Sequence, residues 1–240
     1  MHRIIVLAAG VWGCFLPPAQ NTGGFTVPPE RFFARTERLQ LVPARIPDDV
    51  RVSQDVVAAI DSALAVTAAL LGVEVVPAHE YATIWRRLTR EAGGFFDPYT
   101  GRRDEPEFDA AVSQLYRELE ERFHPDALLY PELIVVEALV EGNEARWGGT
   151  AQRLDDAPEP GSAVLALTLA VAIDDLEGNE LYYREAGLVI LDEAEGWVPH
   201  EALREDPAVV VRAAGAVLEP LVDEARNRVQ SGSAAGDQTK

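Results

Sequence analysis

From residue 39 onward, runs of apolar residues alternate with stretches in which apolar positions recur at helical spacing. Leu39-Gln40-Leu41-Val42 reads as a strand stopped by Pro43. Ser53 stands where a helix cap belongs, ahead of Val56, Val57, Ile60, Leu64 and Leu71, and Gly72 closes that helix. Val73–Val76 predicts a short strand, and Pro77 opens a second helix through about Ala92. Gly93–Arg103 is a loop. Glu105–Phe123 is a third helix carrying Phe108, Val112, Leu115, Tyr116 and Leu119, and Asp126–Leu129 begins the next strand.

The second half turns to strands. Glu132–Val140 is almost continuously apolar, which suits a central strand buried on both faces. Ala145–Leu154 follows, broken at Gly148-Gly149, and Ala163–Ile173 alternates larger with smaller residues. Asp174-Asp175-Leu176-Glu177-Gly178-Asn179 predicts a hairpin turn, with Glu180–Leu191 as the returning partner. A last helix, from about Pro207 to Val229, carries Val210, Val211, Ala214, Val217, Leu218 and Leu221, with Pro220 as a kink. This pattern predicts a mixed α/β, or α+β, single domain at residues 36–230. Its helices pack on one face of a mixed, largely antiparallel sheet.

Composition narrows the partners. The formal charge is -19, with 40 acidic against 21 basic side chains, so the surface repels nucleic-acid phosphates and anionic lipids. Solubility alone accounts for such a surface. The single cysteine, Cys14, excludes an internal disulfide and any multi-cysteine metal site.

That cysteine ends the one signal-like run. Met-His-Arg precedes apolar Ile4–Trp12, which is too short to span a bilayer, and then Gly13-Cys14. The box Val11-Trp12-Gly13-Cys14 resembles a lipoprotein signal, although Trp12 stands where a small residue is usual. On this reading residues 1–13 are removed and Cys14 is acylated, giving a stable two-chain anchor. Phe15 after the cysteine, rather than Asp, resembles the outer-membrane sorting pattern of Gram-negative bacteria. Residues 14–35, rich in Pro, Gly and Thr, then form a tether, and residues 231–240 a disordered tail. Two other readings stay open: cleavage after Pro17-Pro18-Ala19, giving a soluble periplasmic or secreted protein, and a start in which Cys14 is apolar filler.

Candidate chemistry is sparse. The most distinctive stretch is the loop containing Phe95, Phe96, Asp97, Tyr99, Arg102 and Arg103. Aromatic and arginine side chains are common interface anchors, so the loop is a candidate partner contact. Equally, its aromatics could tuck beneath it to close the core. The clusters Asp97/Asp104/Glu105 and Asp174/Asp175/Glu177 lack calcium-loop spacing, so no metal and no cofactor is expected. His2, His79, His124 and His200 form no zinc motif, and the latter part of the chain places Trp147 and Trp197 as core or sheet-edge aromatics. No nucleophile elbow, phosphate loop or dinucleotide fingerprint is present, so no catalytic residue is assigned.

Three motifs in order carry a family resemblance: Phe96-Asp97-Pro98-Tyr99-Thr100-Gly101, Asp126-Ala127-Leu128-Leu129-Tyr130-Pro131-Glu132, and Ala145-Arg146-Trp147-Gly148-Gly149. Over about residues 38–192 the chain resembles an uncharacterised class of Gram-negative periplasmic lipoproteins. The order of elements is also similar to the periplasmic domains of the curli-secretion lipoprotein and of the amino-terminal part of the Tol translocation protein. That resemblance implies an envelope lipoprotein, on the periplasmic side of the outer membrane, whose non-catalytic domain binds or scaffolds another envelope protein. A ligand-binding or transport-accessory lipoprotein and a periplasmic hydrolase are the alternatives. Self-association through a sheet edge stays open.

Overall fold

Helices begin and end where capping chemistry marks them. The computed structural model describes residues 24–48, 50–155, 159, 161–191 and 207–236. Ser53 accepts a hydrogen bond from the Val56 amide and opens α2 (Gln54–Ala68). The 3-10 turn that follows, Ala69–Leu71, ends at Gly72 in the left-handed conformation. Asp104 accepts from the Glu107 amide and opens α4 (Glu105–Phe123), which spans the residues its periodicity predicts. Between them lie β3 (Glu74–Val76) and α3 (Ala78–Glu91).

The expected tether is already part of the fold from Gly24 onward. Strand β1 (Gly24–Phe25) pairs antiparallel with Tyr182 and Tyr183, and α1 (Pro29–Arg35) follows. Phe32 is fully buried, and its ring meets Phe25 and Phe33 edge-on at 5.7 and 5.0 Å. Phe25 in turn meets Tyr182 at 5.6 Å. The Pro28-Pro29 pair, which reads as linker, serves as a helix start, where proline lacks only an amide that has no helical partner anyway. At the other end, the last helix, α5 (Ala208–Gly236), runs through Ser231–Gly236, where a disordered tail is expected. Ser231 Oγ donates to the Asn227 carbonyl four residues back, so its hydroxyl bonds within the helix.

The sheet orders its strands β1, β8 (Glu180–Ile190), β7 (Ala163–Asp175), β4 (Ala127–Glu141), β2 (Arg38–Leu41) and β3. Strand β2 lies parallel to both β3 and β4. The remaining pairs, through β7 and β8, are antiparallel. The domain is thus a single α+β unit with a mixed, largely antiparallel sheet. Strand β4 runs unbroken through Pro131. That position's nitrogen faces the β2 side, where only its carbonyl is used, accepting from the Arg45 amide at 2.9 Å. Its far half is not buried on both faces: Glu137, Leu139 and Glu141 are exposed.

Helices cover both faces of the sheet, not one. Leu129, Leu133, Leu169 and Val171 share a core with Ile60 and Leu64 of α2 and with Val217 and Leu221 of α5. Tyr130 alternates with Leu129 along β4 and so points the other way, where its hydroxyl meets that of Tyr116 in α4 at 2.9 Å. Helices α3 and α4 form their own apolar cluster there, centred on Ile84, Leu88, Leu115 and Leu119. Helix α2 together with the 3-10 turn, Gln54–Leu71, is long and apolar enough to cross a membrane by length and composition, yet Val56, Ile60, Leu64 and Ala68 place it in the domain core.

The far half of β4 curls into a small closed corner. Strands β5 (Glu144–Trp147) and β6 (Thr150–Arg153) form a hairpin that continues from β4 and returns to β8. The Gly187 amide donates to the Gly148 carbonyl at 3.1 Å, and Thr150 Oγ1 donates to the Gly187 carbonyl at 3.1 Å. Trp147 fills the corner among Ala138, Ala145 and Ala166, with its indole N–H on the Leu167 carbonyl at 3.2 Å.

Candidate functional site

The loop between α3 and α4 is built as a rigid knuckle. Gly93 and Gly94 both take positive φ, which lets the chain reverse directly after α3. Phe95 then turns inward, 5% exposed, stacked on Trp85 at 5.3 Å and edge-on to Phe108 at 5.4 Å. Its carbonyl accepts from the Asp104 amide at 2.8 Å, which closes the loop at its base. One residue further, Phe96 and Arg103 face each other in an antiparallel bridge.

Asp97 organises the tip. Its amide donates to the Arg102 carbonyl and its own carbonyl accepts from the Gly101 amide, both at 2.8 Å. Its carboxylate accepts from the amides of Tyr99 at 2.9 Å and Thr100 at 2.7 Å. Those amide bonds, Thr100's first, hold the carboxyl below the ordinary aspartate range. Arg103 lies over the Phe108 ring at 4.4 Å and pairs with Glu105 at 2.8 Å. What remains outward is an aromatic pair with a cation beside it: Phe96 is 66% exposed, Tyr99 95% exposed, and Arg102 is exposed between them and the base.

The six candidate residues therefore divide. Phe95, Asp97 and Arg103 hold the loop, whereas Phe96, Tyr99 and Arg102 present it. Of the two readings that the sequence left open, the tucked aromatic describes Phe95, whereas Phe96, Tyr99 and Arg102 are exposed. Cys14, Trp197 and His200 lie outside the described residues. His79 opens α3 with an exposed side chain beside Glu80, and His124 caps α4 at φ 46°, so neither sits in a shared cluster. Among the described residues no group of three His, Cys, Asp or Glu side chains could hold a metal ion. Asp104 and Asp175 are occupied as caps, Asp175 accepting from the amides of Glu177 and Asn179. Trp147 is core.

Periodicity alone did not show the cluster beneath the knuckle's own layer. Tyr81, Tyr116 and Tyr130 come together there, and burial raises the Tyr81 and Tyr130 hydroxyls well above the usual phenol range. Asp174 stands nearby on β7. Burial, then Glu180 and Asp175, raise its carboxyl above the ordinary aspartate value. The folded chain thus binds that proton more tightly than the unfolded chain does. This contribution stabilises the fold progressively as pH falls through the raised value towards the ordinary one, and at pH 7 the ionised carboxylate is a net penalty. Asp174→Asn is expected to raise Tm at pH 7 by about 1–2 °C. It should also remove part of the gain in stability on acidification, which thermal unfolding across pH 4–7 measures. An unchanged pH profile would contradict this role.

A cavity of about 270 Å³ opens between α5 and β8, lined by Thr150, Gly187, Leu188, Val209, Arg212 and Ala213. It falls below the roughly 300–1,000 Å³ of ordinary small-molecule sites.

No family model and no curated protein matches the chain. A solved structure to which it is similar is the lipoprotein GNA1162 from Neisseria meningitidis, with 17% identity over 63% of this chain and 81% of that one and a TM-score of 0.30.

Proposed function

We propose that this chain is a cell-envelope lipoprotein, acylated at Cys14 and held at the periplasmic side of the outer membrane, whose domain binds another envelope protein through Phe96, Tyr99 and Arg102. The observation that carries the reading is the knuckle: two large aromatic side chains held in water on a loop whose backbone is already fixed. Burying each ring against a partner returns on the order of 1.5–3 kcal/mol. A pre-ordered loop loses little entropy on docking, so most of that gain survives as affinity.

The anchor rests on the sequence alone. The only cysteine ends the only signal-like run, ten positions before Gly24, where the described fold begins. Ten residues reach at most about 35 Å, so the domain would work close to the membrane rather than far into the periplasm.

Two variants test the two halves. Cys14→Ser is expected to abolish incorporation of labelled palmitate and to move the protein to the soluble fraction. Unchanged membrane recovery with no label in the wild type would sink the anchor. Phe96→Ser combined with Tyr99→Ser is expected to keep Tm within about 1–2 °C, as surface changes do, while the co-purifying envelope protein is lost. Undiminished recovery of that protein would rule the knuckle out.

A further inference from the structure

Among the described residues, one edge of strand β4 has an unpaired notch. On one side it pairs with β7 along nearly its whole length, from Ala127 opposite Asp175 to Leu139 opposite Ala163. On the other side, among the described residues, it is covered only at its ends. Strand β2 takes Ala127–Leu129, and the chain after β2 stays alongside, with Arg45 bonded to the Pro131 carbonyl and the Leu133 amide bonded to the Arg45 carbonyl at 2.8 Å. Strand β5 takes Leu139–Glu141. Between Leu133 and Leu139 no described residue pairs with this edge.

Backbone groups along a strand alternate in direction. Leu133 turns its amide away from β7, onto the Arg45 carbonyl, whereas the Val140 amide donates to the Ser162 carbonyl on the β7 side. Val135 and Glu137 therefore turn their N–H and C=O groups into the notch, which is six residue steps long, about 20 Å. Ile134, Val135 and Val136 are half-buried there, and Leu139 is 54% exposed at its end. The rim is acidic. Glu132 pairs with Arg45 at 3.5 Å, and Glu141 and Glu144 share Arg146. Glu137, at the centre, is exposed and makes no ion pair among the described residues.

We propose that this notch accepts an extended strand of a partner protein, apolar at alternate positions and bearing lysine or arginine at the others. The strand would exchange main-chain hydrogen bonds with Val135 and Glu137, the mode by which sheet edges take up peptides. Cationic side chains would answer Glu137, which makes no ion pair among the described residues. A second copy of this chain fits less well, because pairing here would bring together two molecules of charge -19. The covered ends limit the insertion to about four or five residues at strand spacing. This surface shares no residue with the knuckle, so each stands or falls separately.

The test is residue-resolved amide exchange on the full-length protein, with an eight-residue peptide of alternating valine and lysine, blocked at both ends. Saturating peptide is expected to slow exchange at Val135 and Glu137 about tenfold or more, and to leave Ile134 and Val136, already bonded to β7, unchanged. Glu137→Lys should weaken that peptide about tenfold, through lost charge pairing, and admit one of alternating valine and glutamate. Glu137→Pro removes one outward donor while sparing the β7 ladder. Should that variant not fold, a peptide N-methylated at alternate amides removes the same bonds from the other side. Absence of slowing, equal binding of the lysine and glutamate peptides, or undiminished binding of the N-methylated peptide would overturn the proposal. So would protection of both amides without peptide: dependence on protein concentration would assign the notch to a second copy, and independence of it to another segment of this chain.

Discussion

Gly187→Ala is expected to destabilise the domain by about 3 kcal/mol, lowering Tm by roughly 6–12 °C in a chain of this size. A Cβ at position 187 would lie 2.6 Å from the Trp147 indole nitrogen, 2.7 Å from its neighbouring ring carbon and 2.8 Å from Thr150 Cβ. None of these can step aside cheaply. The indole is fixed by its bond to the Leu167 carbonyl and packed among alanines, and Thr150 is tied to Gly187 itself. Gly148 closes the approach from the other side, since a Cβ there would meet the Gly187 amide nitrogen at 2.7 Å. The two glycines are the point at which the β5–β6 hairpin shuts against β8, next to a register shift between β7 and β8. Urea or thermal unfolding measures the loss. Trp147→Phe in the Gly187→Ala background should recover part of it, because the smaller ring vacates the space the methyl needs. A Gly187→Ala protein within about 0.5 kcal/mol of wild type would mean that the corner is open in solution.

The second large effect separates the knuckle's anchor from its tip. Phe95→Ala should cost about 3–4 kcal/mol, because it empties a buried site between Trp85 and Phe108. With the base of the loop undone, partner binding should fall as well. Tyr99→Ala removes a ring that touches water, so stability should stay within about 0.5 kcal/mol. Binding of the partner should nevertheless weaken by tenfold or more, as for an aromatic hot spot. Chemical denaturation beside co-purification reads both. Equal effects of the two variants on binding per unit of stability lost would reduce the loop to a structural element.

The sequence was most legible where one local signal decided the outcome. The Asp104 cap and the spacing of Phe108, Leu115 and Leu119 set the start and the inward face of α4. Asp175 and Gly178 marked the β7–β8 turn, where the carboxylate accepts amides from the residues that follow. Legibility failed where distant residues decide. Phe25 and Phe32 look like linker aromatics until Tyr182, far along the chain, supplies the surface they bury. Nothing local tells Phe95 from Phe96. The inward one is chosen by Trp85 and Phe108, on two different helices. The placement of α3 and α4 on the second face follows from the side on which Tyr130 emerges, which a near-continuous apolar strand does not disclose. The bare edge of β4 is hidden for the same reason, since pairing partners leave no mark on the strand they fail to cover.

The most direct test of the central claim is photo-crosslinking in intact cells, with the reactive side chain introduced at position 99 of the full-length protein. One dominant envelope protein is expected as the adduct from position 99 and again from position 96, and none from the exposed control position Arg226 on α5. Adducts only with itself, or none at all from a protein that is folded and membrane-bound, would contradict the account.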